Sequence, residues 1–167
     1  MSASTSIDER SNYSNFGKEI SICAPSSGAG GMGILTADVT KRYGGNDYPG
    51  GYEPGDYTYS FGGTSSACPL VAGVCALMLS VNPELKSIDV KNILQSTARK
   101  IGSGYDINGH SILYGYGCVN ALEAVRRTSQ EPNKYSSSIK NNYLKPNMYN
   151  NEVYHCILCN DFHYSRS

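Results

Sequence analysis

The sequence predicts an α/β domain, and three observations carry that expectation. Isoleucines alternate at Ile20 and Ile22 and the run stops at Pro25, as in a short strand entering a turn. The ten residues from Leu70 to Leu79 are apolar or glycine on every helical face, which marks a buried helix. Ile88, Val90, Ile93, Leu94 and Ala98 then repeat at helical spacing and form one apolar stripe, as on a helix with a single face on a core.

The elements follow in chain order. Residues 1–24 open polar, rich in Ser and Asn, and close on the strand reading Ile20-Ser21-Ile22-Cys23-Ala24. From Ser26 to Gly63 the chain reads as loop, and 11 of its 18 glycines fall between Gly28 and Gly63. Two short strands are expected inside it, at Ile34–Ala37 and Tyr57–Phe61. A Gly-rich connection of that length inside a compact domain points to function or to disorder. The buried helix ends at Asn82-Pro83. Ser87 is then expected as the N-cap of the amphipathic helix running to Ala98. Gly102, Gly104 and Gly109 break the chain, Ile112–Tyr116 reads as a small strand, and Asn120 as the N-cap of a helix over Ala121–Arg127. These elements define an expected domain over residues 1–127. Of the 40 residues 128–167, six are Leu, Ile, Val or Phe, too few to bury the surface an ordered segment needs, so a polar, disordered tail is expected there.

Composition removes whole function classes. Fourteen basic and fourteen acidic side chains cancel, whereas phosphate neutralisation calls for a basic excess, so no nucleic-acid partner is expected. The ten-residue apolar run is too short to span a bilayer, and no membrane role is expected. The start, Met1-Ser2-Ala3-Ser4-Thr5-Ser6, has neither a basic nor an apolar stretch, so no signal peptide is visible and a cytoplasmic location is the expectation. Cys23, Cys68, Cys75 and Cys118 sit irregularly among apolar or small residues and read as buried, reduced thiols.

The segment Gly63-Thr64-Ser65-Ser66-Ala67-Cys68-Pro69 runs directly into the buried helix. Ser65 falls at or just before the helix N-terminus, where unpaired N–H groups and the positive end of the dipole stabilise negative charge developing on an attacked carbonyl. Gly62 and Gly63 permit close approach of another backbone, as an extended substrate strand requires. Pro69 is tolerated if it lies in the first turn. The alternative for Ser65 or Ser66 is a simple N-cap.

Gly-Thr-Ser-x-Ala-x-Pro followed by Leu-Val-Ala-Gly-Val resembles the nucleophile segment of subtilisin-like serine proteases, the subtilases of peptidase family S8. Tyr13-Ser14-Asn15-Phe16-Gly17 with Ile20–Pro25, Asn82-Pro83-Glu84-Leu85, and Tyr114-Gly115-Tyr116-Gly117-Cys118-Val119-Asn120-Ala121 line up with that family in the same order. Thr36-Ala37-Asp38, and Asp56-Tyr57 leading into Phe61-Gly62-Gly63, resemble most the kexin-like or furin-like branch found in bacterial calcium-dependent proteases. The resemblance covers about residues 3–127. It implies a partial subtilisin-like fold, a parallel sheet flanked by helices and incomplete on its N-terminal side, and a serine endopeptidase acting on peptides or proteins through an acyl-enzyme. It makes Ser65 the nucleophile, with Ser66 in the variable position as second choice and Cys68 left as core.

The same resemblance shows what is missing. The family's Asp and His precede its Ser, yet none of the 64 residues before Ser65 is His, and the oxyanion Asn has no match, since Asn12 and Asn15 sit in other surroundings. A serine hydroxyl without a base is a poor nucleophile. The chain therefore reads as the C-terminal part of a protease domain, inactive alone and completed by an N-terminal half, with a non-catalytic pseudo-protease or degenerate fragment as the alternative. His110, after the Asn108-Gly109 turn, reads as an exposed loop residue rather than a substitute base. His155, Cys156, Cys159 and His163 form a ligand set acceptable to zinc, although one Cys-x-x-Cys is a weak framework and a tail with incidental cysteines is the stronger reading. Asp38, Asp47, Glu53 and Asp56 match no EF-hand spacing. The calcium-dependent branch raises calcium as a cofactor without assigning a ligand.

Overall fold

The computed structural model describes residues 1–28, 30–39, 52–53 and 55–131. Four short strands and three helices follow in order: β1 (Ser2–Ser4), β2 (Cys23–Pro25), β3 (Ile34–Ala37), β4 (Tyr57–Phe61), α1 (Thr64–Val81), α2 (Ser87–Thr97) and α3 (Ala121–Gln130). The α/β expectation holds, with helices on a parallel pair.

β1 and β2 run parallel, with Ser2, Ala3 and Ser4 opposite Cys23, Ala24 and Pro25. Single ladder bridges widen this layer: Cys23 pairs in parallel with Cys118, and Cys118 pairs antiparallel with Arg99. The outer edge of β1 is closed, because Ser11 N–H donates to the Ala3 carbonyl (3.0 Å) and Ala3 N–H donates to the Ser14 hydroxyl (2.9 Å). The partial sheet thus covers the edge that a truncated sheet would leave open. β3 and β4 form a separate antiparallel ribbon with an irregularity between Ile34 and Thr36.

One core lies between the parallel layer and the helices. Ala67, Val71, Val74, Cys75 and Met78 of α1 meet Ala3, Ile22 and Ala24 from the strands, Val90, Ile93 and Leu94 of α2, and Ala124 of α3. A smaller cluster gathers Cys23, Ile101, Tyr114 and Cys118.

Several boundaries differ from the sequence reading. Regular pairing begins at Cys23, although Ile20 and Ile22 are buried as the alternation requires. α1 starts at Thr64, six residues before the apolar run, and its 18 residues are long and apolar enough to cross a membrane, unlike the run alone. Here it packs against β1, β2 and α3. Pro69 lies at the sixth helical position rather than in the first turn, so α1 has no N–H to offer the Ser65 carbonyl. Lys86, not Ser87, is the N-cap of α2, and its N–H donates to the Asp89 carboxylate at 3.0 Å. Residues 112–116 form a turn closed by Ser111 and Gly115 rather than a strand. Asn120 does cap α3, accepting from Glu123 N–H at 3.2 Å. That helix runs to Gln130 because Thr128 is fully buried and its hydroxyl donates to the Ala124 carbonyl, three residues past the expected end.

One face of α1 has no cover among the described residues. Ser65, Pro69, Gly73, Ala76 and Ser80, with Leu70, Leu77 and Val81 beside them, are all exposed. Steps of three and four residues place them along a single side of the helix. That side is apolar, and Ser65 stands at its N-terminal end.

Candidate active site

The N-terminus of α1 is built by a backbone kink and a strap of hydroxyls. Gly63 precedes the helix with φ 87° and ψ 167°, a conformation that residues with a Cβ rarely adopt. This turns the Gly63 carbonyl towards the helix, where it accepts from the Ser26 hydroxyl (2.8 Å), the Ser66 hydroxyl (2.9 Å) and Ser66 N–H (3.1 Å). The Ser26 and Ser66 oxygens are themselves 2.7 Å apart. Ser26 is tied to the sheet through its N–H, which donates to the Ser4 carbonyl at 2.7 Å. Tyr13 completes the strap, its oxygen lying 2.8 Å from the Ser26 hydroxyl and 3.0 Å from that of Ser27. Burial works to raise the Tyr13 pKa, but the hydrogen bonds it shares with Ser11, Ser26 and Ser27 outweigh that and leave it below its ordinary value.

Gly62 lies against this strap: a Cβ there would stand 1.7 Å from the Ser27 hydroxyl, so only glycine lets the 26–28 segment pack this closely.

Ser65 and Ser66 are thereby separated in kind. Ser66 is 2% exposed and its hydroxyl is committed to Gly63 and Ser26, so it holds the turn together. Ser65 is exposed, and among the described residues neither its hydroxyl nor its N–H has a hydrogen-bond partner. No acidic side chain sits in the first turn of α1 to neutralise the dipole. A hydroxyl with a donor N–H at a positive helix end is what attack on a carbonyl requires. Among the described residues no base is bonded to the Ser65 hydroxyl.

His110 does not supply one. Its ring lies half-buried rather than exposed, with Nε2 2.7 Å from the Ile20 carbonyl and edge-on to Tyr116 at 5.3 Å. The backbone N–H of His110 donates to the Asp106 carboxylate at 2.9 Å. Those partners line a cleft of about 410 Å³ with Lys18, Lys91 and Gln95, and no α1 residue contributes to it. The turn signal at Asn108-Gly109 was legible in the sequence. The long-range bond to Ile20 was not.

Cys68 is half-buried on α1 and stands outside the core clusters where it was expected. Cys23, Cys75 and Cys118 are buried as expected, and burial pushes the Cys75 thiol up to about 11. Two of the loop carboxylates, Asp38 and Glu53, already have structural partners. Asp38 accepts from the N–H groups of Val39, Tyr52 and Glu53, which hold it below its ordinary value. Glu53 accepts from the hydroxyls of Thr58 and Ser60 in the β3–β4 ribbon. Among the described residues no three His, Cys, Asp or Glu side chains converge as a metal site. Asp47, His155, Cys156, Cys159 and His163 lie outside the described residues.

Comparison with known proteins places this geometry. The family described as "Subtilase family" matches residues 1–117. The calcium-dependent protease of Trichormus variabilis is 43% identical over 133 residues, covering 75% of this chain and 20% of the relative. Subtilisin BL of Lederbergia lenta is 31% identical over 126 residues, covering 75% of this chain and 37% of the relative. Among solved structures, a protease from Pseudoalteromonas arctica superposes with a TM-score of 0.58 at 28% identity, over 77% of this chain and 35% of the other. The serine protease of Aeromonas sobria superposes with a TM-score of 0.64 at 20% identity, over 78% of this chain and 29% of the other, a likeness of fold. The chain spans about a fifth of the length of the calcium-dependent proteases it matches.

Proposed function

The chain belongs to the subtilase family, and from that premise we propose that it carries the nucleophile of a serine endopeptidase, with Ser65 as the attacking residue. The observation that supports this most is the contrast at the start of α1: Ser66 is buried and bonded, whereas Ser65 is exposed and, among the described residues, has no hydrogen-bond partner at its hydroxyl or its N–H. In the reaction, Ser65 Oγ adds to the carbonyl carbon of a peptide bond while a base takes its proton. The oxyanion gathers at the helix end, and that proton passes to the departing amine. Water then releases the acyl group.

The base, its orienting carboxylate and a second oxyanion donor come from polypeptide beyond residues 1–131. The solved relatives contain ample chain for this, since 35% and 29% of their lengths are covered here. The uncovered apolar side of α1 suits such a complementing half. It runs from Ser65 to Val81, so whatever lies on it also reaches the nucleophile.

Co-expression with the N-terminal part of the Trichormus variabilis protease tests the reading. Alone, the 167-residue chain should neither cleave peptides nor label with a serine-directed fluorophosphonate. The reconstituted pair should label at Ser65, lose labelling in Ser65→Ala and retain it in Ser66→Ala. Labelling that maps elsewhere, or none from a soluble and folded pair, refutes Ser65 as the nucleophile.

A further inference from the structure

The second buried cluster contains two groups that the proteolytic reading does not use. Cys23 and Cys118 are direct partners in a parallel bridge: Cys23 N–H donates to the Gly117 carbonyl and Val119 N–H donates to the Cys23 carbonyl, both at 2.9 Å. Side chains of directly paired residues leave the same face of a sheet, and neighbouring strands lie about 4.8 Å apart, inside the Cα separations that a disulfide accepts. Both thiols are shut away, with relative exposures of 0% for Cys23 and 3% for Cys118.

Their surroundings differ from those of an inert pair of core thiols. The Ser4 hydroxyl stands 3.9 Å from Cys118 Sγ. Arg99 shares an antiparallel bridge with Cys118 through two 2.8 Å backbone bonds, and its guanidinium is held by Asp8 at 2.6 and 2.7 Å. The neighbouring Cys23 thiol above all, then the Ser4 hydroxyl and the positive field of Arg99, pull Cys118 below its ordinary value against the effect of burial. The same contact, with burial, pushes Cys23 up. Cys118, beside the Ser4 hydroxyl and across a bridge from Arg99, is the member placed to carry the thiolate, and Cys23 the one to bring a proton, the division of labour that thiol oxidation requires.

We propose that Cys23 and Cys118 form a redox-active dithiol that a small peroxide closes reversibly into a disulfide. The Cys118 thiolate attacks one peroxide oxygen, the O–O bond breaks, and the departing oxygen takes up a proton as water. This leaves Cys118 as a sulfenic acid. The Cys23 sulfur then attacks the Cys118 sulfur and surrenders its proton, the S–O bond breaks, and a second water leaves. Two thiols lose two electrons, and one peroxide becomes two waters. A low-molecular-weight thiol reverses the step by exchange. Nothing in this depends on Ser65 or on proteolysis.

The test uses the full chain in intact cells given a bolus of hydrogen peroxide, then acid-quenched, alkylated and digested with trypsin. The tryptic fragments 19–41 and 101–126 should appear joined and two hydrogens lighter than their sum, and should separate after dithiothreitol. A faster-migrating band on a non-reducing denaturing gel should accompany the link, and should be absent in Cys23→Ser and in Cys118→Ser. In Cys23→Ser, Cys118 should instead accumulate as sulfinic acid, because nothing resolves its sulfenic acid. The proposal is overturned if both cysteines are recovered reduced while Cys156 and Cys159 have reacted. It is equally overturned if cysteines pair indiscriminately, or if Cys118 oxidises further with Cys23 present.

Discussion

Replacing Gly63 by Ala and Gly73 by Ala makes the same chemical change twice, and the structure demands opposite outcomes. At Gly63 a new Cβ has room, since its nearest neighbours would be Ser65 N at 3.7 Å and Ser65 Oγ at 3.9 Å, ordinary contacts. The cost comes from the backbone. With φ 87° and ψ 167° the residue sits in a region used almost only by glycine, and holding alanine there costs about 1–3 kcal/mol. If the chain relaxes instead, the Gly63 carbonyl leaves its three donors and Ser65 moves with it. Gly73 lies inside α1, where a Cβ would meet nothing within 4 Å, so Gly73→Ala should stabilise the isolated chain by about 0.5–1 kcal/mol. Chemical denaturation of the isolated variants reads both signs. Gly63→Ala should also lower fluorophosphonate labelling of the complemented pair about tenfold or more, since each 1.4 kcal/mol is roughly a factor of ten. Equal stability of Gly63→Ala and the parent would refute the strain argument. A destabilised Gly73→Ala would refute the open face.

Three further outcomes follow from the same geometry. Leu77→Glu, at a position 54% exposed, should change the isolated chain by no more than about 0.5 kcal/mol, yet weaken capture of a complementing half about tenfold or more in a pull-down titration, because burial of a leucine worth about 1.5–3 kcal/mol is lost. Met78→Ala, on the opposite side of α1 and fully buried, should lower unfolding free energy by about 2–5 kcal/mol, read by urea denaturation. Hydrogen bonding to Arg99 holds the Asp8 carboxylate below its ordinary value, so the stability this pair contributes is present above about pH 4, the unfolded value, and is lost as pH falls through the lower folded value. Both partners are about half exposed, which limits the effect to about 0.2–1 kcal/mol, and a stability–pH curve for Asp8→Asn should be flatter below pH 4 by that amount.

The parts legible in the sequence were those whose signal is local. Periodicity located α2, and the apolar run located the body of α1, because burial imposes both patterns on neighbouring residues. Asn120 was legible as a cap because its side chain answers Glu123 three residues on. The start of α1 was legible only to within a residue, since Thr64, Ser65 and Ser66 are letters that loops and helix starts share. The end of α3 was missed for a related reason: Thr128 looks polar, yet it returns its hydroxyl to Ala124 and is fully buried. The hydroxyl strap was invisible because Tyr13, Ser26 and Ser66 are brought together by the β1–β2 pairing and the chain reversal at Gly63. No spacing rule joins them. Ser65 was singled out through the Gly-Thr-Ser resemblance, and its exposure set against the buried, bonded Ser66 is a physical reason to propose it over Ser66.

Pro69 explains how an exposed, unbonded serine and a rigid helix coexist in five residues. An ordinary helix would take the Ser65 carbonyl as acceptor for the N–H four residues on, but proline has none, and the free N–H of Ser65 lies at the other side of the same residue. The backbone of Ser65 is therefore anchored less by α1 than by what flanks it. Gly63 on one side is fixed by Ser26 and Ser66, and Ser66 on the other is fixed by Gly63 and Ser26. Ser26 in turn hangs from Ser4 in β1 and touches Tyr13. The position of the hydroxyl is thus set by the sheet through the strap, while α1 contributes its dipole and its core contacts. This arrangement leaves the Ser65 N–H and Oγ without a hydrogen-bond partner among the described residues, at the positive end of the helix. It also accounts for two serines in succession, one spent entirely on structure so that the other need not be.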